Sequence, residues 1–358
     1  MAEHVIVGMS GGVDSSVSAY LLKERGYRVS GLFMVNWTED EEGYCTAAQD
    51  FQDARTVCAE LDIPLHKVDF SKEYRERVFQ SFLQDYAAGK TPNPDVLCNR
   101  EVKFQPFREH AMRLGADYIA TGHYARIEHR QDGPHLLRAV DQNKDQTYFL
   151  AAVARAHLEK VLFPVGELTK PEVRVIAEKI GLPNHRKKDS TGICFIGERE
   201  FQSFLSHYLK PHPGPIVDDA GAIVGEHQGL MYYTLGQRRG LKIGGRSGAK
   251  EAPWYVVAKE RDSNRLVISQ DAQHPRLMSR HVRTLAFQWI CRPASFDIPL
   301  TARIRHRQPL QDCSVTISDD GGLSVHFAQA QRAATPGQYL VLYAGEECLG
   351  GGEIAFAE

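Results

Sequence analysis

The residues best suited to chemistry form a short loop near the start of the chain, Ser10-Gly-Gly-Val-Asp-Ser-Ser16. The loop follows the apolar run His4–Val7 and precedes an amphipathic stretch, so the pattern predicts a strand, a glycine turn and the start of a helix. Gly11 and Gly12 allow the backbone to turn tightly against a ligand. The unpaired N–H groups and the positive dipole end of the helix then favour an anion such as a polyphosphate.

The simplest alternative for this loop is a glycine turn that only ends the strand. The Lys-Ser/Thr ending of a Walker A loop is absent, which disfavours a kinase or GTPase site. Ser10, Ser15 and Ser16 supply hydroxyl donors. Asp14 is the only carboxylate of the loop, and its expected role is to orient either Mg²⁺ or a hydrogen-bond donor.

Two of the seven cysteines lie in segments whose composition favours reactivity. Cys98 ends the stretch 91–98, whose two prolines stiffen the chain just before a helical pattern, and a helix N-terminus stabilises a thiolate. Cys194 follows the basic run Arg186–Lys188, and nearby positive charge has the same effect. Both are expected in loops, although an inert thiol is the simpler alternative for each.

The odd count of cysteines and the absence of Cys-x-x-Cys disfavour a disulfide framework or a zinc ribbon. Five cysteines are expected to be structural: Cys45, Cys58, Cys291, Cys313 and Cys348.

A glycine-rich stretch between His227 and Lys250 contains five basic residues, Arg238 and Arg239 among them, and no acidic residue. Such a composition is typical of a phosphate-backbone contact, whereas a solvated surface loop is the alternative.

Two other polar segments suit contact with a nucleic acid. Lys144-Asp145-Gln146 could present three hydrogen-bonding side chains to a base edge, or form an ordinary turn. A strand over Thr301–Arg307 would place three arginines on one exposed face.

The first half of the chain alternates strand and helix patterns, which predicts a parallel sheet with helices on both faces. Ligands of such sheets bind beyond the carboxyl ends of the strands, where Ser10–Ser16, Met34 and Gly122-His123 fall. The predicted strands are 4–9, 28–35, 66–70 and 118–121, and the predicted helices are 15–25, 47–61, 72–86, 103–114 and 170–180.

This alternation ends near Tyr208, before a proline-rich linker at Pro211–Pro215. A hairpin is predicted over residues 254–260 and 265–270, and short alternating runs after Arg283 predict a small antiparallel barrel. The fold class is therefore α/β in its first part, with residues 1–208, 209–275 and 276–358 as the expected domains. A chain of 358 residues is long enough for two or three domains.

The net charge of −2 does not by itself indicate a nucleic-acid binder. No apolar run approaches the roughly 20 residues needed to span a bilayer, and no signal peptide is apparent. A cytoplasmic protein without membrane contact is the expectation.

Together these motifs resemble the bacterial tRNA 2-thiouridylases, which belong to the ATP pyrophosphatase superfamily. The resemblance extends over nearly the whole chain, and its most specific elements are the loop at Ser10, Asn93-Pro-Asp-x-x-Cys98-Asn and Ser190-Thr-Gly-Ile-Cys194-Phe-Ile-Gly. It implies an N-terminal adenine nucleotide α-hydrolase-like domain, a small central domain and a C-terminal β-barrel that binds tRNA. The implied activity replaces the C2 oxygen of the wobble uridine with sulfur, at the expense of ATP with Mg²⁺.

The resemblance also implies roles for individual residues. Cys194 would carry a persulfide received from a sulfur-relay protein or a cysteine desulfurase, and Cys98 would end in a disulfide with it. The implied ATP site comprises Gly8, Met9, Ser10, Gly11, Gly12, Val13, Asp14, Ser15, Met34 and Gly122. The implied tRNA contacts are Asn93, Pro94, Asp95, Lys144, Asp145, Gln146, Arg305 and His306.

Two other functions compete with this one. An amidating synthetase of the same superfamily would use the ATP loop on a small molecule and would need neither the cysteine pair nor the basic stretch. A tRNA-binding protein whose nucleotide site only regulates binding would release no pyrophosphate in response to tRNA.

Overall fold

A parallel five-stranded sheet lies at the centre of the first half of the chain. The computed structural model describes residues 2–37, 47–189, 201–241, 243 and 252–358. Five strands pair in parallel in the order β3-β2-β1-β4-β7, which confirms the predicted sheet. The first seven strands are β1 His4–Gly8, β2 Arg28–Val35, β3 Leu65–Asp69, β4 Tyr118–Ala120, β5 Ala125–Arg130, β6 Gly133–Arg138 and β7 Val161–Leu162.

Helices cover both faces of this sheet. Val5 and Val7 of β1 join one buried apolar cluster, while Ile6 between them joins another. Burial on both faces explains why β1 is a continuous apolar run. The described helices are α1 Val13–Glu24, α2 Ala47–Glu60, α3 Ser71–Tyr74, α4 Gln80–Ala87, α5 Pro94–Cys98, α6 Arg108–Arg113, α7 Thr147–Leu150, α8 Arg155–Leu158, α9 Lys170–Lys179 and α10 Phe201–Ser206.

Two long helices of this region contain widened π-helical turns. α3 continues through Arg75–Phe79 into α4, and α5 continues through Asn99–Phe107 into α6. The second helix begins at Pro94, well before the predicted start at Lys103. The reason is local, because Asn93 caps the helix by accepting a hydrogen bond from the backbone N–H of Val96 at 3.3 Å, and proline suits the first helical turn.

The middle of the chain forms a small separate sheet. Its strands are β8 Gly214–Val217, β9 Ile223–His227, β10 Tyr255–Glu260 and β11 Arg265–Ser269, paired in the order β10-β11-β8-β9. The β10–β11 hairpin confirms the prediction for residues 254–270, and Asn264 takes a positive φ of 49° in its turn. The β8–β9 pair was not predicted.

A closed six-stranded antiparallel barrel ends the chain, as predicted. Its strands are β12 Met278–Trp289, β13 Leu300–Arg303, β14 Gln311–Ile317, β15 Gly322–Arg332, β16 Tyr339–Ala344 and β17 Glu347–Ala357. Pairing of β12 with β17 closes the barrel. Gly350 permits this closure, because its φ is +147° and a Cβ there would lie 2.1 Å from the carbonyl oxygen of Gln288.

The β5–β6 hairpin extends the barrel sheet, although it belongs to the first half of the chain. The contact pairs Glu347 of β17 with Leu137 of β6, and the N–H of Arg138 donates to the carbonyl of Glu346 at 2.9 Å. The seam crosses the expected boundary between the first and third domains, whose limits remain a prediction.

The predicted cationic face on residues 301–307 is wrong at Arg303. β13 ends at this residue, whose side chain is buried instead of exposed. Its guanidinium lies 2.5 Å from a carboxylate oxygen of Asp145, which is itself buried, and also donates to Tyr343 Oη at 2.7 Å. A buried arginine requires such partners, and here they join the barrel to the segment before α7.

We predict that Arg303→Met will destabilise the fold by about 3 kcal/mol, the low end for a broken buried pair, because the buried Asp145 carboxylate loses its closer arginine and keeps only Arg138 at 3.5 Å. The measurement is the free energy of urea unfolding followed by tryptophan fluorescence. Arg265→Met removes an exposed partner of Glu260 and is the matched control, with an expected loss of about 0–1 kcal/mol. Equal losses in the two variants would contradict the prediction.

Candidate active site and nucleic-acid interface

The glycine loop connects β1 to α1 at the carboxyl end of the sheet. Gly11 has a φ of +73°, and a Cβ there would lie 2.4 Å from the carbonyl oxygen of Asp50, so no other residue fits without rearrangement. Gly12 caps α1 with its backbone alone. The first N–H groups of α1 therefore have no partners within the helix, as an anion site requires.

Gly122 lies directly against this loop, as expected from its place at the carboxyl end of a parallel strand. A Cβ on Gly122 would stand 2.7 Å from the backbone nitrogen of Ser15. Met34 lies near the end of the neighbouring strand β2, and Gly8 ends β1. The structure thus gathers the three segments of the predicted ATP site at one edge of the sheet.

Serine hydroxyls hold the loop in shape. The Ser15 and Ser16 hydroxyls donate to the carbonyl of Gly12 at 3.0 and 2.9 Å, and Ser10 Oγ lies 3.2 Å from Ser15 Oγ. Of the three hydroxyls expected to face a phosphate, only that of Ser10 is exposed. Ser15 and Ser16 are buried and act within the loop.

A chain of charges begins at Asp14. Lys170, the first residue of α9, donates to its two carboxylate oxygens at 2.8 and 2.9 Å, and Tyr124 Oη donates to one of them at 2.8 Å. Lys170 also lies 2.7 Å from Asp189, whose other oxygen is 2.6 Å from the Lys144 ammonium. Partial burial opposes ionisation of Asp189, but these hydrogen bonds outweigh it and lower its pKa to about 2.

This arrangement bears on the two roles expected for Asp14. Both Asp14 oxygens accept hydrogen bonds from the Lys170 ammonium, so in this structure the side chain orients a lysine donor. Its role toward Mg²⁺ stays a prediction. Burial and the nearby Asp14 carboxylate both raise the pKa of Tyr124. The phenol therefore remains protonated and donates to Asp14.

A second lysine stands on the opposite side of the loop. Lys187 pairs with Asp50 at 2.7 Å and Asp53 at 2.6 Å. Burial lowers the pKa of Lys187, but the hydrogen bonds that its ammonium donates to the two carboxylates outweigh this and raise it. The amide of Asn184 donates to the Gly11 carbonyl at 3.0 Å and thereby fixes the turn.

Cys98 lies within a helix, and not in the loop that its neighbours predicted. It is the last residue of α5, 4 % exposed, in the apolar cluster that also contains Leu97 and Val102. Its position near the positive end of a helix favours the thiolate, whereas burial disfavours it. Cys194 lies outside the described residues.

The three residues before Cys98 are arranged by their part in starting the helix. Asn93 caps it, Pro94 is buried and Asp95 is exposed to solvent. Of the three, Asp95 therefore offers the most accessible side chain to a ligand.

The side chains of the segment 144–146 are engaged within the protein. Asp145 is buried against Arg303, Lys144 pairs with Asp189, and the Gln146 side chain accepts a hydrogen bond from the N–H of Tyr124 at 2.9 Å. The interpretation of Asp145 as a base-edge contact is therefore corrected, because its carboxylate holds the barrel in place. Lys144, 39 % exposed, is the most accessible of the three side chains.

Arg305 and His306 follow β13 in a turn. Arg305 donates to the carbonyl of Ala333 at 2.9 Å, and none of the described carboxylates lies within ion-pair distance of it. The ring of His306 packs 4.4 Å from that of Phe149, and its Nε2 lies 2.9 Å from the Asp145 carbonyl, which leaves little of the ring for stacking. Burial lowers the pKa of His306.

A cavity of about 420 Å³ lies between the middle sheet, the barrel and the segment before α5. Arg305 contributes to its wall, and the loop that carries the exposed Arg238 and Arg239 continues from it. Its lining residues are Thr91, Thr234, Leu235, Gly236, Gln237, Arg305, Thr335 and Gln338. The cavity therefore brings together three of the segments predicted to contact nucleic acid.

Comparison with known proteins identifies the family. Residues 3–198 match the model of the tRNA methyl transferase HUP domain, residues 202–270 that of the tRNA methyl transferase PRC-barrel domain, and residues 279–354 that of the aminomethyltransferase beta-barrel domain. The tRNA-specific 2-thiouridylase MnmA of Alcanivorax borkumensis is 55% identical over 98% of this chain and 96% of its own length. The tRNA-specific 2-thiouridylase MnmA of Sodalis glossinidius is 57% identical, also over 98% of this chain and 96% of its own.

The chain belongs to the MnmA family of tRNA-specific 2-thiouridylases. Among solved structures, a 4-thiouridine synthetase–RNA complex with bound ATP covers 57% of this chain and 49% of its own, at 19% identity and a TM-score of 0.37, a likeness too low to argue from. No helix among the described residues is long and apolar enough to span a membrane.

Several residues around the loop of this MnmA-family chain escaped the sequence analysis. Lys170 and Asn184 contact the glycine loop directly, and Lys187 and Asp189 form ion pairs beside it, but all four are distant from it in sequence. Lys170 did carry a signal, since a lysine in the first turn of a helix opposes the helix dipole and needs a compensating carboxylate.

We predict that the effect of Asp189→Asn on stability depends on pH. The pKa of Asp189 is lowered in the folded protein, so its ion pairs stabilise the fold above the unfolded value of about 3.9 and are lost as pH falls toward 2. The gap in urea midpoint between wild type and Asp189→Asn should be largest near pH 7 and shrink between about pH 4.5 and 3. Asp262→Asn, in an exposed turn, should show no such trend. A gap that is constant with pH would refute the ion-pair account.

Proposed function

We propose that this chain uses ATP to convert the wobble uridine of tRNA to 2-thiouridine. Membership of the MnmA family over nearly the full length is the observation that carries the proposal. The anion-binding loop at the sheet edge supports the use of ATP, and the cavity beside Arg305 supports contact with a nucleic acid. In the proposed division of labour, residues 1–208 perform the chemistry, and residues 209–275 and 276–358 hold the tRNA.

The proposed reaction begins by activating an oxygen that is a poor leaving group. The uridine C2 oxygen attacks the α-phosphorus of ATP, an O–P bond forms, and pyrophosphate leaves. The N–H groups at the start of α1 and the exposed Ser10 hydroxyl would bind the phosphates, with Met34 and Gly122 beside the nucleotide. ATP thus supplies the leaving group, and Asp14 holds the Lys170 ammonium next to the loop.

Sulfur transfer follows in two proposed steps. The terminal sulfur of a Cys194 persulfide attacks C2, the C2–O bond breaks, and AMP leaves. The Cys98 thiolate then attacks the Cys194 sulfur, so the S–S bond to the substrate breaks, C2 keeps the sulfur, and a Cys98–Cys194 disulfide forms. A persulfide-donating protein supplies the sulfur, and an external thiol reductant restores the two cysteines.

The burial of Cys98 sets a condition on the second of these steps. It shields the thiol from solvent oxidants, and the proposed step requires the Cys194 sulfur to be delivered to it. Asp95, exposed one helical turn before Cys98, is the nearest predicted contact for the target base. The base has to leave the anticodon stack to reach Asp95, at a cost of a few kcal/mol.

Cysteine variants test this proposal. We expect Cys98→Ser and Cys194→Ser each to abolish 2-thiouridine formation in an assay with ATP, a persulfide-charged donor protein, a thiol reductant and unmodified tRNA, read by nucleoside analysis. Pyrophosphate release that depends on tRNA should persist for up to one turnover, because activation precedes sulfur transfer. Cys313→Ser, in β14, is the control and should keep full turnover. Full 2-thiouridine formation in both cysteine variants would overturn the proposed sulfur transfer. ATP turnover on a small molecule that both variants retain would favour an amidating synthetase, and the absence of tRNA-dependent pyrophosphate release would favour a regulated binding protein.

The exposed arginines allow a separate test of tRNA binding. Replacing Arg238 and Arg239 with alanine should weaken tRNA binding and reduce the slope of log K against log salt by about 1–2, since each phosphate contact releases counterions. Arg276→Ala, at an exposed position facing Glu260, is the control and should leave the slope unchanged. A double variant with the wild-type slope would show that the two arginines face away from the tRNA.

A further inference from the structure

A group of metal-binding side chains lies at the seam between the β5–β6 hairpin and the barrel, away from the ATP loop. Asp132 and His135 come from the hairpin, and Cys291 comes from the residues just after β12. One potential ligand atom from each lies within 4.8 Å of the other two. Asp132 and His135 are three residues apart in the hairpin, whereas Cys291 is distant in sequence, and the β6–β17 pairing brings it to them.

We infer that Asp132, His135 and Cys291 bind a zinc-like divalent transition ion, which fastens the hairpin to the barrel. Thiolate, imidazole and carboxylate are the side chains that zinc selects. With metal–ligand bonds of about 2.0–2.3 Å, two ligand atoms of a tetrahedral site lie about 3.3–3.6 Å apart. The largest separation allowed here is 4.8 Å, and Asp132 can make up the difference because its side chain is 58% exposed.

The surroundings of His135 match the outer shell of a metal site. Its Nδ1 lies 2.6 Å from Oε1 of Glu347, and its Nε2 lies 2.8 Å from Oδ1 of Asp132. A histidine that binds a metal through one nitrogen commonly donates the other N–H to a carboxylate, which sets its tautomer and orientation. The Arg130 guanidinium also lies 3.0 Å from Nδ1, but Glu347 is the closer partner and is placed to accept that bond, so Nε2 is the ligand atom on the side of Asp132.

Arginines hold the outer oxygens of both carboxylates. Arg130 donates to Oε2 of Glu347 at 3.0 Å, and Arg155 donates to Oδ2 of Asp132 at 2.9 Å. The inner oxygens therefore remain directed at His135. Arg155 also approaches His135 Nε2 to 3.4 Å, so a bound ion would displace it from the ring while leaving its bond to Asp132. The Cys291 thiol would release its proton to solvent when the ion binds.

The location suggests a structural role. Few backbone hydrogen bonds join β6 to β17, with a single register pair between Leu137 and Glu347. An ion bound to residues on both sides of the seam would stabilise the folded state in proportion to its free concentration. The exposure of Asp132 leaves a fourth coordination position for water.

Cobalt titration of the chelator-treated full-length protein tests the inference. We expect one Co²⁺ per chain, with thiolate-to-cobalt absorption in the near ultraviolet and d–d bands in the visible, both removed by Zn²⁺. Cys291→Ser and His135→Gln should lose the thiolate band or bind at least tenfold more weakly. Glu347→Gln should keep the band but weaken binding about 10–100-fold, as expected for an outer-shell partner.

Matched controls separate this site from the other thiols. Cys313→Ser and Cys98→Ser should retain the wild-type band, and Zn²⁺ should raise the thermal midpoint of the wild type but not of Cys291→Ser. If His135→Gln does not fold, the half-buried Cys291 still provides the decisive variant. No cobalt band in the wild type, or a band unaffected by Cys291→Ser, would show that the cluster is only an ion-pair network and overturn the inference.

Discussion

Asp145 and Arg303 meet across two parts of the chain that are about 160 residues apart, and both charges are almost completely removed from water. Burying either charge without the other would cost several kcal/mol, so the guanidinium and this carboxylate favour one position of the barrel. Tyr343 and Thr147 complete the arrangement by hydrogen bonds to the same pair. The position of the barrel on the α/β region therefore depends on a specific polar contact, in addition to the non-directional burial of apolar surface.

The segment 144–146, which contains Asp145, also faces the glycine loop. Lys144, next to Asp145, pairs with Asp189, which pairs with Lys170, which in turn holds Asp14 at the start of α1. One side of the segment is thus tied to the barrel and the other to the loop. The two regions proposed to bind tRNA and ATP are consequently fixed to each other by adjacent residues.

Elements with strong local signals can be predicted from the sequence alone. β2 was predicted residue for residue, and the glycine loop, the parallel sheet and the barrel followed from apolar periodicity and turn residues. Cys98 was placed in a loop because Asn93 and Pro94 resemble loop residues, although they also form a good helix start. Local patterns do not distinguish those two uses of the same residue types.

Long-range polar pairing was beyond a single sequence. Arg303 alternates with other arginines, as an exposed strand residue would, and nothing local indicates the distant partner Asp145. The β5–β6 hairpin was missed for a related reason, because its place beside β17 depends on a strand more than 200 residues later. Contacts of this kind are specified by the tertiary fold and are invisible to periodicity.

Two lysines flank the glycine loop, and each is held by two carboxylates. Lys170 lies between Asp14 and Asp189, and Lys187 lies between Asp50 and Asp53. An anion entering the loop has to compete with these carboxylates for the ammonium groups, while the N–H groups of α1 remain available to it. A singly charged anion gains little from that competition, whereas a polyphosphate can contact the helix start and a lysine together. Neutralised lysines beside an open helix N-terminus therefore select for high anion charge, and this property follows from the geometry whichever base is modified.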